Sequence, residues 1–365
     1  MHKDFMLAAL DLVWLGRGIC SPNPSVGAVL VHNQQIIAKA FHPGAGQLHA
    51  EQLILDQLPA GGLTDLTLYV TLEPCNHWGR TPPCVDAIIN HRINKVVFAF
   101  RDPNPLVVKN NTPHILEEKG IEVIHYPLPE IDLFYQSYQH WFDTKRPWVT
   151  AKIAQSLDGK IAGVNGERLQ LSNAQCAEFT HLQRLYTDVI LTTARTILAD
   201  NPSLDVRLNK PHNLNNRKTG KVLAILDRQL QLTGRELVFS NAKQCHIFHD
   251  EALSVSKKMD QCRYHAVPVL HGQLCLVSVI KILGEIGYHD VWVEAGGQLF
   301  GALHALKLVN RTYIYLVPKI VGEQAVSAYQ NDAFFKNKHQ IHWQATLDNM
   351  VMRVEWELGD VCLPD

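Results

Sequence analysis

The chain has 365 residues, a formal net charge of −1 and a pI near 7.0. That balance lacks the basic field that drives phosphate-backbone binding, and it argues against a nucleic-acid partner. With 46% hydrophobic and 19% charged residues, the composition is that of a globular protein of about two or three domains, and eight cysteines are too few for a disulfide scaffold.

Lys3 to Gly16 carries Met6, Ala9, Leu10 and Val13 at helical spacing, and Asp11 makes the segment an amphipathic helix rather than a signal peptide. No apolar run approaches a membrane span. A cytoplasmic, reducing location is expected, with Cys20, Cys176, Cys245, Cys262, Cys275 and Cys362 as free, packed thiols. Pro22-Asn23-Pro24 is a rigid polar loop. Val26 to Val31 and Ile36 to Phe41 flank His32-Asn33-Gln34-Gln35 and predict a hairpin. Gly44-Ala45-Gly46 leads into a helix starting around His49. Leu66 to Leu72 is a strand that ends at Glu73-Pro74-Cys75, and Cys84 opens a helix running to His91. Lys95 to Phe100 and Ile121 to Tyr126 are strands, separated by a helix from Thr112 to Lys119 that Gly120 stops. Pro129 to Lys145 is a long amphipathic helix, and Arg146-Pro147 marks a boundary between domains 1–146 and 147–365.

The second half restarts with a strand from Trp148 to Ala154, followed by Ser156-Leu157-Asp158-Gly159. Asn173 to Tyr186 and Val277 to Ile286 are helices. Val189 to Thr193 and Lys221 to Asp227 are buried-type strands. Asn209 to Lys218 is a polar surface loop. Val291 to Glu294 is a strand running into Gly296-Gly297 and a helix to about Leu308. Thr312 to Val317 and Met350 to Leu358 are late strands.

Chemistry concentrates between His49 and Cys84. His49, Cys75 and Cys84 supply one imidazole and two thiols, and a catalytic zinc keeps three protein ligands, leaving its fourth position to water. Glu51, two residues from the ligand His49, is the general acid/base candidate. His-x-Glu followed by Pro-Cys and a second Cys is the zinc nucleobase-deaminase signature, here with eight residues between the cysteines where two are usual. In the first turn of a helix side chains lean back toward its start, so His49 and Glu51 can converge there. A helix N-terminus also favours the thiolate of Cys84. The rival reading is a structural zinc with His77 or His42 as fourth ligand, but it leaves Glu51 without a purpose. The Asn76 to Pro83 loop, pinned between two ligands, is expected to line a pocket. In the second half, Gly296-Gly297 at a strand-to-helix junction can bring backbone close to a phosphate or can be a plain turn. Asp200-Asn201-Pro202 with Arg207 is open in the same way.

Together these segments resemble one family over almost the whole chain. Pro22-Asn23-Pro24, Val26-Gly27-Ala28-Val29, His49-Ala50-Glu51, Thr71-Leu72-Glu73-Pro74-Cys75, Gly79-Arg80-Thr81-Pro82-Pro83-Cys84 and Asp102-Pro103-Asn104-Pro105 resemble the deaminase half of the bifunctional riboflavin-biosynthesis deaminase/reductases. Ser156-Leu157-Asp158-Gly159, Leu198-Ala199-Asp200-Asn201-Pro202, Val206-Arg207 and Val293-Glu294-Ala295-Gly296-Gly297 resemble the reductase half. The resemblance implies an α/β protein: a cytidine-deaminase-like α/β/α sandwich followed by a dihydrofolate-reductase-like domain. It implies zinc-dependent removal of the 2-amino group of a diaminopyrimidinone ribosylamino 5′-phosphate, then NADPH-dependent reduction of the ribosyl group. NADP would be held by Ala154, Gln170, Thr196, Asp200 and the turn of Gly296, Gly297, Gln298, Leu299, Phe300, Gly301 and Ala302. The small-molecule substrate would be held by Arg168, Arg184, Leu204, Arg207 and Glu294, arginine suiting a ribose phosphate through its planar fork. A dimer or tetramer is expected by the same resemblance.

The chain departs from the family pattern at three places. Leu106 to Asn111 contains no glycine where the family has a glycine-rich continuation. Arg168 and Gln170 stand where Ser and Trp are common. Arg228 replaces a small polar residue, either as a partner for the 2′-phosphate of NADP or as a solvated arginine. The alternative function is a nucleoside or tRNA deaminase with an unrelated or silent C-terminal domain.

Overall fold

The first apolar stripe does what its spacing predicts. Met6, Ala9 and Val13 form the fully buried face of helix α1 (His2–Gly16), whose backbone lies so close to the sheet that a Cβ on Gly27 would sit 2.1 Å from the Ala9 carbonyl. The computed structural model describes residues 1–58, 63–79, 81–208, 220–256, 258–329, 334, 339–346 and 348–356. Arg80, the expected loop from Asn209 to Lys218, Cys362 and the last two residues of the strand expected to reach Leu358 lie outside them. The chain divides into two units, Met1–Lys145 and Arg146–Asp365. Among the described residues no helix is long and apolar enough to cross a membrane.

In the first unit β1 (Gly27–His32) and β2 (Gln35–Phe41) form the expected hairpin, turning through Asn33 and Gln34 at φ 48° and 62°. Two successive left-handed residues match the twist of the flanking strands. After α2 (Ala50–Leu55), β3 (Leu66–Leu72) pairs antiparallel with β1. Helix α3 (Cys84–Asn90) and β4 (Lys95–Phe100) follow. Next come two short helices, α4 (Pro105–Asn110) and α5 (Thr112–Glu117), then β5 (Glu122–His125) and α6 (Pro129–Thr144). The sheet order is β2-β1-β3-β4-β5, with β3, β4 and β5 parallel. Near-continuous burial along β1, β3 and β4 means that both sheet faces are covered.

The glycine-free stretch is not an open loop. The Asn104 side chain caps α4 by accepting from the Leu106 N–H, and Asn111 takes the left-handed position (φ 53°) that glycine would otherwise fill, capping α5 in turn. Asparagine tolerates this region because its short amide bonds locally.

In the second unit, β6 (Trp148–Ser156) lies within a nine-stranded sheet. By residue range the order is 262–267, 244–250, 222–226, 189–193, 290–294, 148–156, 311–317, 349–356, 339–346. The first seven strands run parallel, and the 349–356 strand pairs antiparallel with both of its neighbours. Alternate residues feed two cores: Val189, Leu191, Val291 and Val293 join one, and Ile190 and Trp292 join the other. That is the period-two signature of a sheet covered on both faces. The crossovers are α7 (Ala174–Tyr186), α8 (Ala194–Asp200), α9 (Leu237–Asn241), α10 (Leu276–Ile286) and α11 (Gly297–Ala305). The described cysteines are all free thiols.

Candidate active sites

His49 is the N-cap of α2, extended at φ −73° and ψ 161°, so its ring stands off the helix end. Cys75 follows the end of β3, and Cys84 is the first residue of α3. These three elements bring one ligand atom from each residue within 4.8 Å of the others. His49 Nδ1 lies 3.3 Å from Cys84 Sγ and 3.5 Å from Cys75 Sγ, while its Nε2 lies 3.5 Å from the Thr81 hydroxyl. The helix-start N–H of Cys84 donates to Cys75 Sγ at 3.3 Å. The start of α3 therefore also stabilises negative charge on the Cys75 sulfur. The Cys84 thiol and His49 add to this and hold the Cys75 thiol down at about 4, while burial pushes Cys84 up.

The donor set fits zinc: one imidazole and two thiols around one point, with the second imidazole nitrogen beside an orienting hydroxyl. Among the described residues the cluster has three members. His42 does not join it. Its ring packs edge-on against His49, its Nδ1 pairs with the Leu48 carbonyl and its Nε2 with Asn23, and burial lowers it to about 4. His77 lines the cleft but stands outside the ligand cluster.

Glu51 is 3% exposed, and its Oε2 has no hydrogen-bond partner. Burial raises its pKa, against the pull of His49. The carboxyl faces a cleft of about 290 Å³ that Pro22, Asn23, His49, Cys75, His77, Gly79, Thr81, Asp102, Asn104 and Tyr138 also line. The loop between the ligands thus lines a pocket, although Trp78 points to solvent (73% exposed). Buried hydrogen bonds hold the wall. Tyr135 Oη donates to the Ser25 carbonyl and bonds the Thr71 hydroxyl, which accepts from the Gly27 N–H, so the end of β3 is tied to the Pro22–Pro24 loop. Asp102 accepts from the Asn104 N–H and the Tyr138 hydroxyl, and burial lifts it to about 6. Asn76 donates to the Val107 carbonyl and the Thr112 hydroxyl, fastening α4 and α5 to the ligand loop.

In the second unit a larger cleft, about 660 Å³, opens at the carboxyl ends of the parallel strands, the usual ligand position in such sheets. Thr196, Arg228, Gly296, Gly297, Gln298, Leu299 and Ala302 line it, as do Arg195 and Asp227. Asp227 accepts the Gln231 and Leu232 N–H groups, which shapes the turn that presents Arg228. Five residues expected at the cofactor do not line this cleft. Phe300 and Gly301 are buried on the inner face of α11, where Phe300 packs with His304 and Phe334. Ala154 lies along β6 as the ladder partner of Tyr315. Gln170 is exposed and donates to the Ser172 carbonyl, and Asp200 is exposed at the end of α8.

The expected substrate residues separate similarly. Arg184 and Glu294, 110 positions apart, form a two-pronged ion pair: Nε to Oε1 at 2.6 Å and Nη2 to Oε2 at 2.8 Å. Trp292 Nε1 donates to the same carboxylate at 2.9 Å, and Arg184 Nη1 to the Asp205 carbonyl. Burial opposes ionisation of Glu294, but Arg184 prevails and holds it down at about 2. Sequence reading missed Lys152, the ladder partner of Glu294, whose ammonium lies over the Tyr315 ring and is pushed down by burial against the opposing pull of Glu294. A lysine between Ala151 and Ile153 in an expected strand was its signal. Leu204 is buried with φ 47°, and Arg207 is exposed, bonded to Asp205 and Ser203. Arg168 is exposed.

Comparison with known proteins matches both units. The family model described as the cytidine and deoxycytidylate deaminase zinc-binding region matches residues 1–100, and that of the RibD C-terminal domain matches residues 147–352. The riboflavin biosynthesis protein RibD of Haemophilus influenzae is 34% identical over 328 residues, covering 88% of this chain and 87% of its own. That of Escherichia coli is 32% identical, covering 88% and 89%. Among solved structures, a diaminohydroxyphosphoribosylaminopyrimidine deaminase/5-amino-6-(5-phosphoribosylamino)uracil reductase from Thermotoga maritima superposes with a TM-score of 0.82 at 30% identity, covering 97% of this chain and 98% of that one. Acinetobacter baumannii RibD gives 0.83 at 28% identity, covering 98% and 99%. A His-Cys-Cys cluster in a cytidine-deaminase-like unit, a cleft at the strand ends of a reductase unit and relatives matched along nearly their whole length lead to one conclusion: the chain belongs to the RibD family of riboflavin-biosynthesis enzymes, in which a zinc-dependent deaminase domain precedes an NADPH-using reductase domain.

Proposed function

We propose that residues 1–146 deaminate 2,5-diamino-6-ribosylamino-4(3H)-pyrimidinone 5′-phosphate and that residues 147–365 then reduce its ribosyl group with NADPH, giving 5-amino-6-(5-phosphoribitylamino)uracil. The observation that carries the first half is the orphaned, buried Glu51 oxygen in the same cleft as the His49, Cys75 and Cys84 cluster. His49 Nδ1 and the two thiols would hold zinc, which when bound supplies an acidified water as the nucleophile. Glu51 is placed to take one proton from the attacking water and pass it to the pyrimidine ring nitrogen, then to carry the proton of the newly added hydroxyl to the amino group, which departs as ammonia. Thr81 orients the far side of the His49 ring.

In the reductase half, hydride chemistry belongs to the cofactor, while the chain supplies position and electrostatics. The cleft bounded by Thr196, Arg228 and Gly296 to Leu299 is read as the cofactor site. The Arg184–Glu294 pair with Lys152 beside it is read as the polar floor under the sugar.

Two measurements test this reading. Cys84→Ala is expected to lower bound zinc from about one per chain to a small fraction and to abolish deamination, because two ligands hold zinc poorly; metal analysis finding full occupancy would refute the ligand set. The reductase is expected to prefer NADPH to NADH by at least about tenfold in kcat/KM, on the order of one charge-assisted contact from Arg228. Equal values for the two cofactors would remove the 2′-phosphate from that turn.

A further inference from the structure

Arg195 is not among the residues expected at the cofactor or the substrate, yet it lines the larger cleft. It sits in the first turn of α8, where the Thr193 hydroxyl caps the helix by accepting from the Thr196 N–H. Its Nη1 donates to Gln298 Oε1 at 2.8 Å, so the guanidinium is held over the first turn of α11. Among the described residues no carboxylate lies within ion-pair distance of Arg195 or of Arg228. Among the described residues the one acid lining the cleft, Asp227, spends its oxygens on backbone N–H groups. The cleft therefore carries two cations whose charge the described chain leaves uncompensated.

Beside Gln298, the cleft is lined by the backbone of Gly296 and Gly297. Gly297 has carbonyls of Ala328 and Ser327 so close that a Cβ would sit 2.6 Å and 2.9 Å from them, whereas a Cβ on Gly296 would meet nothing within 4 Å. Gly297 is thus packed against the 327–328 backbone, while the space at Gly296 is open. The N–H groups of the first α11 turn have no intrahelical acceptor, and the Arg195 fork is tethered above them by Gln298.

We propose that Arg195 is the pyrophosphate ligand of the dinucleotide. Together with the opening turn of α11 it clamps the central phosphates, and Arg228, on the separate turn after the 222–226 strand, is left to the 2′-phosphate. Gln298 is the positioning residue that aims the guanidinium. The proposal rests on the reading of this cleft as the cofactor site. It adds a division of labour between the two arginines that the cofactor preference alone does not reveal.

The test is equilibrium binding to the zinc-loaded, full-length protein, with NADP⁺, NAD⁺ and adenosine 2′-monophosphate as probes. NAD⁺ carries the pyrophosphate without the 2′-phosphate, and adenosine 2′-monophosphate carries the reverse. Arg195→Gln is expected to raise Kd for NADP⁺ and NAD⁺ by the same factor, roughly tenfold to a hundredfold for a lost charged hydrogen bond, and to leave adenosine 2′-monophosphate unchanged. Arg228→Gln is expected to weaken NADP⁺ and adenosine 2′-monophosphate and spare NAD⁺. Arg195→Lys, which keeps charge but not the fork, should recover part of the loss. Because Arg195 is exposed and Arg228 only half-buried, neither belonging to the apolar core, these substitutions leave the core intact. Unchanged dinucleotide affinity in Arg195→Gln overturns the proposal, and so does a loss confined to NADP⁺ and adenosine 2′-monophosphate, which would move Arg195 to the 2′-phosphate. If substitutions at both arginines leave every probe unaffected, the reading of the cleft itself fails.

Discussion

Glu51→Gln is expected to keep its zinc and lose deamination. Glutamine is nearly isosteric and adds no charge, and the position is fully enclosed, so the ligand cluster at His49, Cys75 and Cys84 should persist. What disappears is the ability to accept and return a proton. A general acid/base group contributes about 10² to 10⁴-fold, and one that acts at several proton transfers belongs at the upper end or beyond. Replacing a buried carboxylate whose Oε2 has no partner should not destabilise the unit, and the melting temperature of the variant is expected to match or exceed the parent. Reduction of pre-deaminated substrate should be nearly unaffected, because the substitution lies in a separately packed unit. Zinc content, single-turnover deamination and NADPH oxidation measured on one preparation decide among the possibilities. Lost zinc would make Glu51 a ligand. Retained deamination would remove it from catalysis. Loss of both activities with zinc intact would couple the two units.

Glu294→Ala is expected to be the most damaging single change in the second unit. It strips the Arg184 guanidinium, 9% exposed, of both carboxylate contacts and leaves the Trp292 indole N–H without its acceptor. Breaking one side of a buried ion pair costs about 3–5 kcal/mol. In a unit of this size that corresponds to roughly 6–20 °C of melting temperature. The informative companion is Arg184→Met/Glu294→Leu. Replacing both partners by apolar groups removes the unpaired charge, so most of the stability should return. Reduction should stay lost if the pair handles the sugar. A double variant with parental kcat/KM would show the pair to be structural only.

The residues differ in how visible these roles were beforehand. The zinc ligands and Glu51 stand at ends of short, regular elements, β3, α2 and α3, whose apolar periodicity marks them in the sequence. Ligand type and spacing are local properties, so reading them needs no knowledge of which strands pair. The Asn33-Gln34 turn and the α1 stripe were legible for the same reason. The α4 turn was not, because its stop is Asn111 in a conformation that glycine usually signals.

What the tertiary structure decided involves partners distant in the chain. Arg184 and Glu294 were each read as reaching for substrate, and it is the placement of α7 against the 290–294 strand that turns them toward each other. Lys152 becomes part of the same cluster because the β6 register sets it opposite Glu294. Helical rotation decides that Gly297 and Gln298 face the cleft while Phe300 and Gly301 turn into the core, which a run of seven contiguous candidates could not reveal. Arg195 acquires its place only when α8 and α11 converge across the sheet, 103 positions apart. The sequence by itself determined the chemistry available in each half, through residue types and local periodicity. The pairing of charges, and hence which of them remain for a ligand, was decided by strand order and register, because an ion or a hydrogen bond responds to distance in space and not along the chain.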